Sequence, residues 1–540
     1  MNRKTLLGAV FVVVVAAALG GTAGTSGGRA STANAGSWQA PGEVLVRFRE
    51  GASAAQVAAA HSSVGALVVQ TFQIVPNLQL VRVPVAGVEE AIARYKADPA
   101  VLYAQPNFIY RIDNTPNDPL YPGMYNLNNT GQTGGTVDAD IDAPEAWDLV
   151  TGSSAVAVGD IDTGIDYNHV DLAASAKPNP AECNGTPGVD DDGNGYVDDC
   201  HGIDALNHDS NPIDDNGHGT HTAGTMGAIG NNGKGVVGVN WNVTIVACKS
   251  HDSVGNGTTA SIIECMQYME IEKAHGVNVV ATNNSYGGCP EACGFDQATY
   301  DAIKSNMNKG ILFVAAAGND SRNNDNLPTY PGSYFLPNVV AVAATDNNDS
   351  MASFSSFGAR SVLVGAPGVR IDSTTPNNTY SFFSGTSMAT PHVAGLVALL
   401  RAQDTTRTWS QLRNLIVTGG DKKPSLAGRT VTGRRINAFG SATCSLKRFF
   451  GVLRPLPTQT GQPIPIAALK VKCANPAKRG LTVTITPGGA TVKIVDDGTG
   501  SDLAAKDGIF SGAWAPNPCV PGTYTFTFSN GKSVQSTITC

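Results

Sequence analysis

A hydroxyl at Ser387, an imidazole at His218 and a carboxylate at Asp162 stand in contexts that suit them to joint chemistry. Ser387 lies in Ser384-Gly385-Thr386-Ser387-Met388-Ala389-Thr390-Pro391-His392-Val393-Ala394-Gly395, where a turn of small residues hands over to an apolar helical run. The free N–H groups and positive dipole end of a helix start favour the negative charge that develops as a serine attacks a carbonyl. A neutral serine is a poor nucleophile until a base removes its proton, and an imidazole base must be held in one tautomer by a third group. His218, in Asn216-Gly217-His218-Gly219-Thr220-His221-Thr222-Ala223-Gly224, is the candidate base, and Asp162, at the end of the apolar run 155–161, the orienting carboxylate. Asn319 follows the apolar run 311–317 and offers an amide, together with the Ser387 backbone N–H, to the oxyanion that attack creates.

The elements that position these groups read as α/β. The run 155–161, closed by a glycine turn, has the pattern of a buried parallel strand. Segments 244–249, 261–275, 277–281, 300–309, 311–317 and 339–343 alternate between strand and helix, which predicts a mostly parallel sheet covered by helices on both faces. Catalytic groups at the carboxyl ends of its strands fit the rule for such sheets. Ahead of this region, 42–48, 54–62, 78–83, 88–96 and 101–107 predict a small α+β unit in the order β-α-β-β-α-β. Behind it, Pro455, Pro457, Pro463 and Pro465 predict a stiff linker over 445–463, and alternation at 482–486, 491–495 and 523–528 predicts a β-sandwich over 464–540. There Asp496-Asp497-Gly498 and Asp507-Gly508 read as turns, and Trp514 and Tyr524 as core.

Four motifs in order, Asp-Thr-Gly at 162–164, His-Gly-Thr-His at 218–221, Gly-Asn at 318–319 and Gly-Thr-Ser-Met-Ala-Thr-Pro-His at 385–392, make the chain resemble the subtilisin family of serine proteases over about residues 116–438. The resemblance implies a serine endopeptidase with residues 36–113 as an inhibitory propeptide, cut by Ser387 within 108–115, and 114–444 as the catalytic domain. It implies polypeptide substrates, the propeptide as intramolecular inhibitor and a monomer. Gly255-Asn256-Gly257 and Asn284-Ser285-Tyr286-Gly287-Gly288 resemble the two edges between which an extended peptide lies, giving Gly255, Gly257, Ser285, Tyr286 and Gly287 as substrate-binding residues. Asp320 could place a carboxylate at the mouth of the primary pocket and favour Lys or Arg. Thr329 stands where relatives carry glycine at the pocket floor, and shortens it. Two calcium sites are also implied: Asp118, Asp171 and Asn232 with carbonyls of Gly230, Lys234 and Val236, and a thermitase-like second site at Asp204 and Asp209 with the loop 207–213. Asp214 and Asp215 either contribute to it or are surface charge.

A third site is legible from the residues themselves. Asp190-Asp191-Asp192-Gly193-Asn194-Gly195-Tyr196-Val197-Asp198-Asp199 alternates oxygen ligands around a glycine turn as a calcium loop begins, but no Glu stands twelfth. The expected ligands are Asp190, Asp192, Asn194 and Tyr196, with Asp198 or Asp199 closing the loop. Calcium suits hard oxygen donors in an extracellular setting better than magnesium.

The remaining features place the chain outside the cytosol. It opens with Met1-Asn2-Arg3-Lys4 and an apolar run at 6–19, a secretory signal peptide whose cleavage falls after residue 18, 23 or 35, and no second stretch would span a bilayer. Ten cysteines fit an oxidising compartment; Cys183 with Cys200, Cys289 with Cys293 and Cys248 with Cys265 are expected pairs, while Cys444, Cys473, Cys519 and Cys540 are left open. No Cys-x-x-Cys or His/Cys cluster argues for zinc. A net charge of −8 spread over many loops gives no reason to expect a nucleic-acid partner. Two rival functions remain on the sequence alone, a noncatalytic binding protein on a protease scaffold and an esterase, since the same triad cleaves esters.

Overall fold

The chain divides into two units, residues 1–111 and 112–540. The structure, a computed structural model, describes residues 39–84, 87–109, 114–176, 178–288, 294–459, 463–477 and 480–540. The expected signal peptide, residues 110–113 of the processing window and the Cys289 and Cys293 pair lie outside these.

The first unit has the expected order: β1 (Gln39–Phe48), α1 (Ala54–Val64), β2 (Leu67–Phe72), β3 (Leu78–Arg82), α2 (Val88–Ala97) and β4 (Val101–Phe108). Its sheet runs β2-β3-β1-β4 with antiparallel neighbours. Val44, Val46 and Phe48 fall on one face of β1 because side chains alternate along a strand, and they pack with Ala91, Ile92 and Tyr95 of α2. Strand β2 is exposed along nearly its whole length, so it carries no burial period and escaped assignment from sequence.

The second unit is built on nine strands in the order β14-β15-β11-β10-β9-β8-β5-β7-β6. In chain order its elements are α3 (Ala143–Trp147), β5 (Gly152–Asp162), α4 (Pro180–Cys183), β6 (Gly202–Asp204), α5 (His218–Gly227), β7 (Asn242–Lys249), α6 (Thr259–Ala274), β8 (Val279–Asn284), α7 (Gln297–Asn308), β9 (Leu312–Ala316), β10 (Val339–Thr345), β11 (Val364–Pro367), the hairpin β12 (Ile371–Thr375) and β13 (Thr379–Phe383), α8 (Thr386–Gln403), α9 (Trp409–Gly419), β14 (Asp421–Lys422), β15 (Arg434–Arg435) and α10 (Ala438–Ala442). Every pairing in the sheet is parallel except β14 with β15. Strand β5 is buried without alternation from Val156 to its end, as a parallel strand covered on both faces must be. Helix α8 is buried from Met388 to Leu400, so it runs through the core rather than along its surface.

The C-terminal strands β16 (Arg448–Arg454), β17 (Ile464–Lys472), β18 (Asn475–Pro476), β19 (Leu481–Thr486), β20 (Ala490–Ile494), β21 (Ile509–Trp514), β22 (Gly522–Phe528) and β23 (Ser533–Ile538) form two four-stranded antiparallel sheets. Trp514 and Tyr524 are in their shared core, as expected. The span expected as a linker is partly strand: β16 pairs with β17, so the sandwich begins near residue 448. Nor does the sandwich hang free. Strand β17 buries Ile464, Ile466 and Ala468 inside the sandwich, and on its other face Ala467, Leu469 and Val471 join the core that holds Leu412 and Leu415 of α9. Arg413 of α9, 1% exposed, reaches the Asp507 carboxylate at 3.3 Å. Disulfides link Cys183 to Cys200 and Cys248 to Cys265, and the open four pair as Cys444 with Cys473 and Cys519 with Cys540.

Candidate active site

Asp162 ends β5 at the carboxyl edge of the sheet, and His218 begins α5. His218 Nδ1 and Asp162 Oδ1 are 2.7 Å apart, with the imidazole 28% exposed and the carboxylate 3%. This bond holds the proton on Nδ1 and leaves the Nε2 lone pair as the base; among the described residues Nε2 has no partner. Burial disfavours the imidazolium, but the charge and hydrogen bond of Asp162, with the Asp214 charge behind it, raise the His218 pKa above its ordinary 6.5. Burial likewise opposes the Asp162 charge, and His218, His251 and the Thr163 N–H together hold its pKa below the usual 3.8.

The loop between these two residues is organised by Asp214. One carboxylate oxygen accepts from the Thr163 hydroxyl and from the N–H groups of Asn216 and Gly217, each at 2.9 Å. The other accepts from the N–H and the hydroxyl of Thr220 at 2.9 and 2.6 Å. Thr163 follows Asp162 and Gly217 precedes His218, so one buried carboxylate ties the two halves of the pair together. Beside it, Lys249 Nζ donates to the Thr163 carbonyl at 2.7 Å and to Asp215 at 2.6 Å. Asp214 is therefore a buried organiser of this loop, and Asp215 a half-exposed partner of Lys249. Asp-x-x-Gly-His was the available signal, and its role is invisible without the fold.

Ser387 is the second residue of α8. Pro391, four residues on, has no N–H to bond the Ser387 carbonyl. The Ser285 hydroxyl donates to that carbonyl instead at 2.9 Å, and the Ser387 hydroxyl donates back to the Ser285 carbonyl at 2.8 Å. The proton of the nucleophile is thus directed at Ser285 rather than at His218. Asn319 Oδ1 accepts from the N–H and hydroxyl of Thr386 at 2.8 and 2.9 Å, which fixes the amide plane. Its Nδ2 has no partner among the described residues and lies 3.6 Å from where a Cβ on Gly385 would sit, so the glycine keeps the space open.

A cleft of about 770 Å³ runs past the pair. Gly255 and Gly257 line it together with Ser285, Tyr286 and Gly287. A side chain at Gly257 would meet the His251 ring at 2.7 Å, and Gly255 has φ +85°, so both positions require glycine. The sequence did not reveal the aromatic end of the cleft, where Phe295, Tyr330 and Tyr334 meet edge to face or tilted. Phe295 lies 35 or more residues before Tyr330 and Tyr334, too far to carry a local signal for such a cluster. Asp320 and Thr329 are not on this wall. The Asp320 carboxylate is 52% exposed and 3.9 Å from Arg322, which screens the charge expected to select Lys or Arg. Thr329 is buried, bonds Asn324 Oδ1 at 3.1 Å, and puts its methyl beside Gly287 and Gly318.

Residues 153–433 match the model of the Subtilase family, and residues 28–107 that of the Fervidolysin N-terminal prodomain. The chain belongs to the subtilase family. It is 36% identical over 404 residues to the thermophilic serine proteinase of Bacillus sp. (strain AK1), covering 74% of this chain and 87% of that one. It is 36% identical over 325 residues to thermitase of Thermoactinomyces vulgaris, covering 60% and 98%. Subtilisin DY of Bacillus licheniformis is 39% identical over 260 residues, covering 48% and 81%. This is a serine protease of the subtilase family with a prodomain ahead of its catalytic domain.

The subtilase carries several carboxylate clusters in its loops. Asp118 and Asp171 are both buried; Asp118 accepts from the Asn231 and Asn232 N–H groups, and Asp171 from Asn232 Nδ2, the Val236 N–H and the Tyr380 hydroxyl. Burial raises both pKa values, against the hydrogen bonds that favour the charged forms. The loop holding Gly230, Lys234 and Val236 wraps these two, with the Lys234 N–H on Asn232 Oδ1 at 2.8 Å.

In the acidic loop, ligand atoms of Asp190 and Asp192 converge with Glu182 of α4, all within 4.8 Å. Glu182, upstream of the loop, was not singled out from the sequence, and it stands nearer to this pair than the expected Asp198 or Asp199. Asp198 caps the Gly188 N–H, and Asp199 turns inward to Tyr268 and Asn194. Asn194 Oδ1 accepts the Tyr196 N–H. Asp199 Oδ1 is buried with no partner, an acceptor with nothing to accept. Glu272 of α6, also unforeseen, lies beside it, with burial and then Asp199 and Asp192 pushing its pKa up to about 7. At Asp204, one carboxylate oxygen accepts from the Leu206 and Asn207 N–H groups and the other from Asn207 Nδ2, so it caps the turn that leads to Asp209. Among the described residues no helix is long and apolar enough to cross a membrane.

Proposed function

We propose that this subtilase hydrolyses polypeptides with Ser387 as nucleophile, His218 as general base and then general acid, Asp162 as the orienting carboxylate and Asn319 Nδ2 with the Ser387 N–H as oxyanion donors. The observation that carries this reading is the 2.7 Å Asp162 to His218 bond, which leaves Nε2 free at the edge of a cleft whose other wall holds Ser387 through Ser285. Rotation of the Ser387 hydroxyl about its Cα–Cβ bond takes its proton from the Ser285 carbonyl to His218 when substrate enters, a tightening common to free enzymes. Attack then places negative charge where the fixed Asn319 amide can donate. The glycine-lined walls let an extended chain add as a strand, which favours peptides over simple esters.

In this reading residues 1–35 direct secretion, 36–113 form an inhibitory propeptide released by a cut within 108–115, 114–444 catalyse, and the sandwich stays docked on α9. Calcium is the cation the loops fit: Asp118, Asp171 and Asn232 would hold one ion, and Glu182, Asp190 and Asp192 another. Bound there, it would neutralise buried carboxylates and pin long loops against local opening and self-digestion.

The deciding experiment expresses the full chain beside Ser387→Ala and reads the N-terminus of each. A new start within 108–116 in the parent, absent from Ser387→Ala, is the expected result. An uncut parent in calcium-containing buffer, or the same cut in both, would refute self-processing by Ser387.

A further inference from the structure

The strand that ends in the triad carboxylate carries a second one. Asp160 precedes Asp162 by two residues on β5, so both side chains leave the same face. Asp160 is 1% exposed. Asn283 of β8 donates through Nδ2 to Asp160 Oδ1 at 2.9 Å. The Thr222 hydroxyl of α5 lies 3.0 Å from Asp160 Oδ2, 3.3 Å from Asp160 Oδ1 and 3.0 Å from the Gly219 carbonyl oxygen.

Proton counting separates the two states of this carboxyl. A threonine hydroxyl has one proton to give, and a carbonyl oxygen can only accept. With the Thr222 proton on Gly219, the short contact to Asp160 Oδ2 needs a proton from the carboxyl itself. One oxygen accepting from an amide and the other donating to a hydroxyl is the pattern of a carboxylic acid. The surroundings agree. The residues paired with Asp160 are Ala247 on β7 and Asn283 on β8, both uncharged. The titratable groups that act on it are Asp162, on its own strand, and His218 of α5. His218 is already paired with Asp162, and an ionised Asp160 would be a second buried anion sharing one cation. Burial first, and then the Asp162 charge, push its pKa well above the ordinary carboxylate range.

We propose that Asp160 is a positioning residue held as the neutral acid, donating to Thr222 and accepting from Asn283, so that the helix of the base and the strand before the substrate wall are both locked to the strand of Asp162. The link continues to the nucleophile along the chain: Ser285, two residues beyond Asn283, donates its hydroxyl to the Ser387 carbonyl at 2.9 Å. One neutral group thereby joins all three segments of the triad, while Asp162 remains the single anion that orients His218. The role assigned to Asp160 rests on the protease reading above.

Two substitutions in the full chain test it. Asp160→Ala is expected to lower kcat by about tenfold or more with little change in KM, the loss that a misplaced base produces. Asp160→Asn keeps an acceptor for Asn283 and a donor for Thr222, so it should recover most of that loss and leave the acid limb of the kcat/KM profile in place. A limb that moves to lower pH in Asp160→Asn would mean that a negative charge had been removed beside His218, and overturns the proposal. A measurement independent of turnover uses Ser387→Ala protein at neutral pH. Its infrared spectrum should contain the C=O stretch of a buried protonated carboxyl that is missing from Ser387→Ala/Asp160→Asn, and no difference between the two overturns the proposal. Should Asp160→Asn not fold, Ser387→Ala/Thr222→Val removes the acceptor and must shift the same band; an unmoved band is equally fatal. If the parent shows no Ser387-dependent hydrolysis, the protease reading falls, and the infrared comparison still decides the state of Asp160.

Discussion

Asp214→Ala should damage both the stability and the catalysis of this subtilase, although Asp214 touches neither substrate nor nucleophile. The substitution removes an acceptor of five hydrogen bonds, from Thr163, Asn216, Gly217 and twice from Thr220. Two of the donors are the buried N–H groups of Gly217 and Thr220, and leaving each unpaired costs about 1–3 kcal/mol, or about 2–6 kcal/mol for both. The same contacts hold Thr163 and Gly217, the neighbours of Asp162 and His218. A displacement of about 1 Å at the base costs roughly 100-fold in rate, equivalent to about 2.7 kcal/mol of transition-state stabilisation. The expected outcome is a fall in kcat of that order with KM changed far less. Asp214 also adds to the negative potential that raises the His218 pKa, so its loss moves the acid limb of kcat/KM to lower pH. Stability is read by thermal unfolding in the Ser387→Ala background, where self-digestion cannot intrude, and kinetics with a fluorogenic peptide across the pH range. Asp214→Asn, which keeps one acceptor oxygen, should fall between the two. A folded Asp214→Ala protein with parental kcat and an unmoved acid limb would refute the reasoning.

In the parent enzyme the base must be neutral, and its pKa is raised, so kcat/KM should fall as pH drops through a value above 6.5; a limb at or below 6.5 would contradict the Asp162 pairing. The sign for stability is opposite: the ion pair stabilises the fold below 6.5, and that contribution is lost as pH rises through the raised value. Thr329→Gly clears the methyl beside Gly287 and Gly318 and should raise kcat/KM for Phe or Tyr over Ala at the residue before the cut bond by about tenfold or more. It should also cost about 1–3 kcal/mol, since Asn324 Oδ1 loses its donor. Arg413→Ala strands the buried Asp507 carboxylate, a loss of about 3–5 kcal/mol. Hydrogen exchange in the Ser387→Ala background should localise it to residues 448–540, and uniform protection there would show that apolar packing on α9 suffices. Excess chelator should raise the thermal inactivation rate of mature enzyme about tenfold or more, and an unchanged rate after prolonged warm dialysis would remove calcium from the account.

The sequence by itself determined the chemistry. Hydroxyl, imidazole, carboxylate and amide each stood where an apolar strand ends or a helix begins, and such local signals need only the residues on either side. Strand and helix alternation likewise set the parallel sheet, because both faces of β5 are covered and its apolar run shows it. What lay beyond reach was every contact between segments far apart in the chain. Glu182 rather than Asp198 or Asp199 joins Asp190 and Asp192, because the chain before the loop folds back onto it. Arg448 to Arg454 became a strand despite the prolines that follow, because β17 supplied its partner. Asp214, taken for surface charge or a calcium ligand, is buried under five donors. Asp160 looked like part of an apolar strand, and only the fold brings Thr222 and Asn283 to its two oxygens. Residue type fixes what a group can do, but its charge state and the direction of its hydrogen bonds depend on burial and on neighbours that only the tertiary structure brings together.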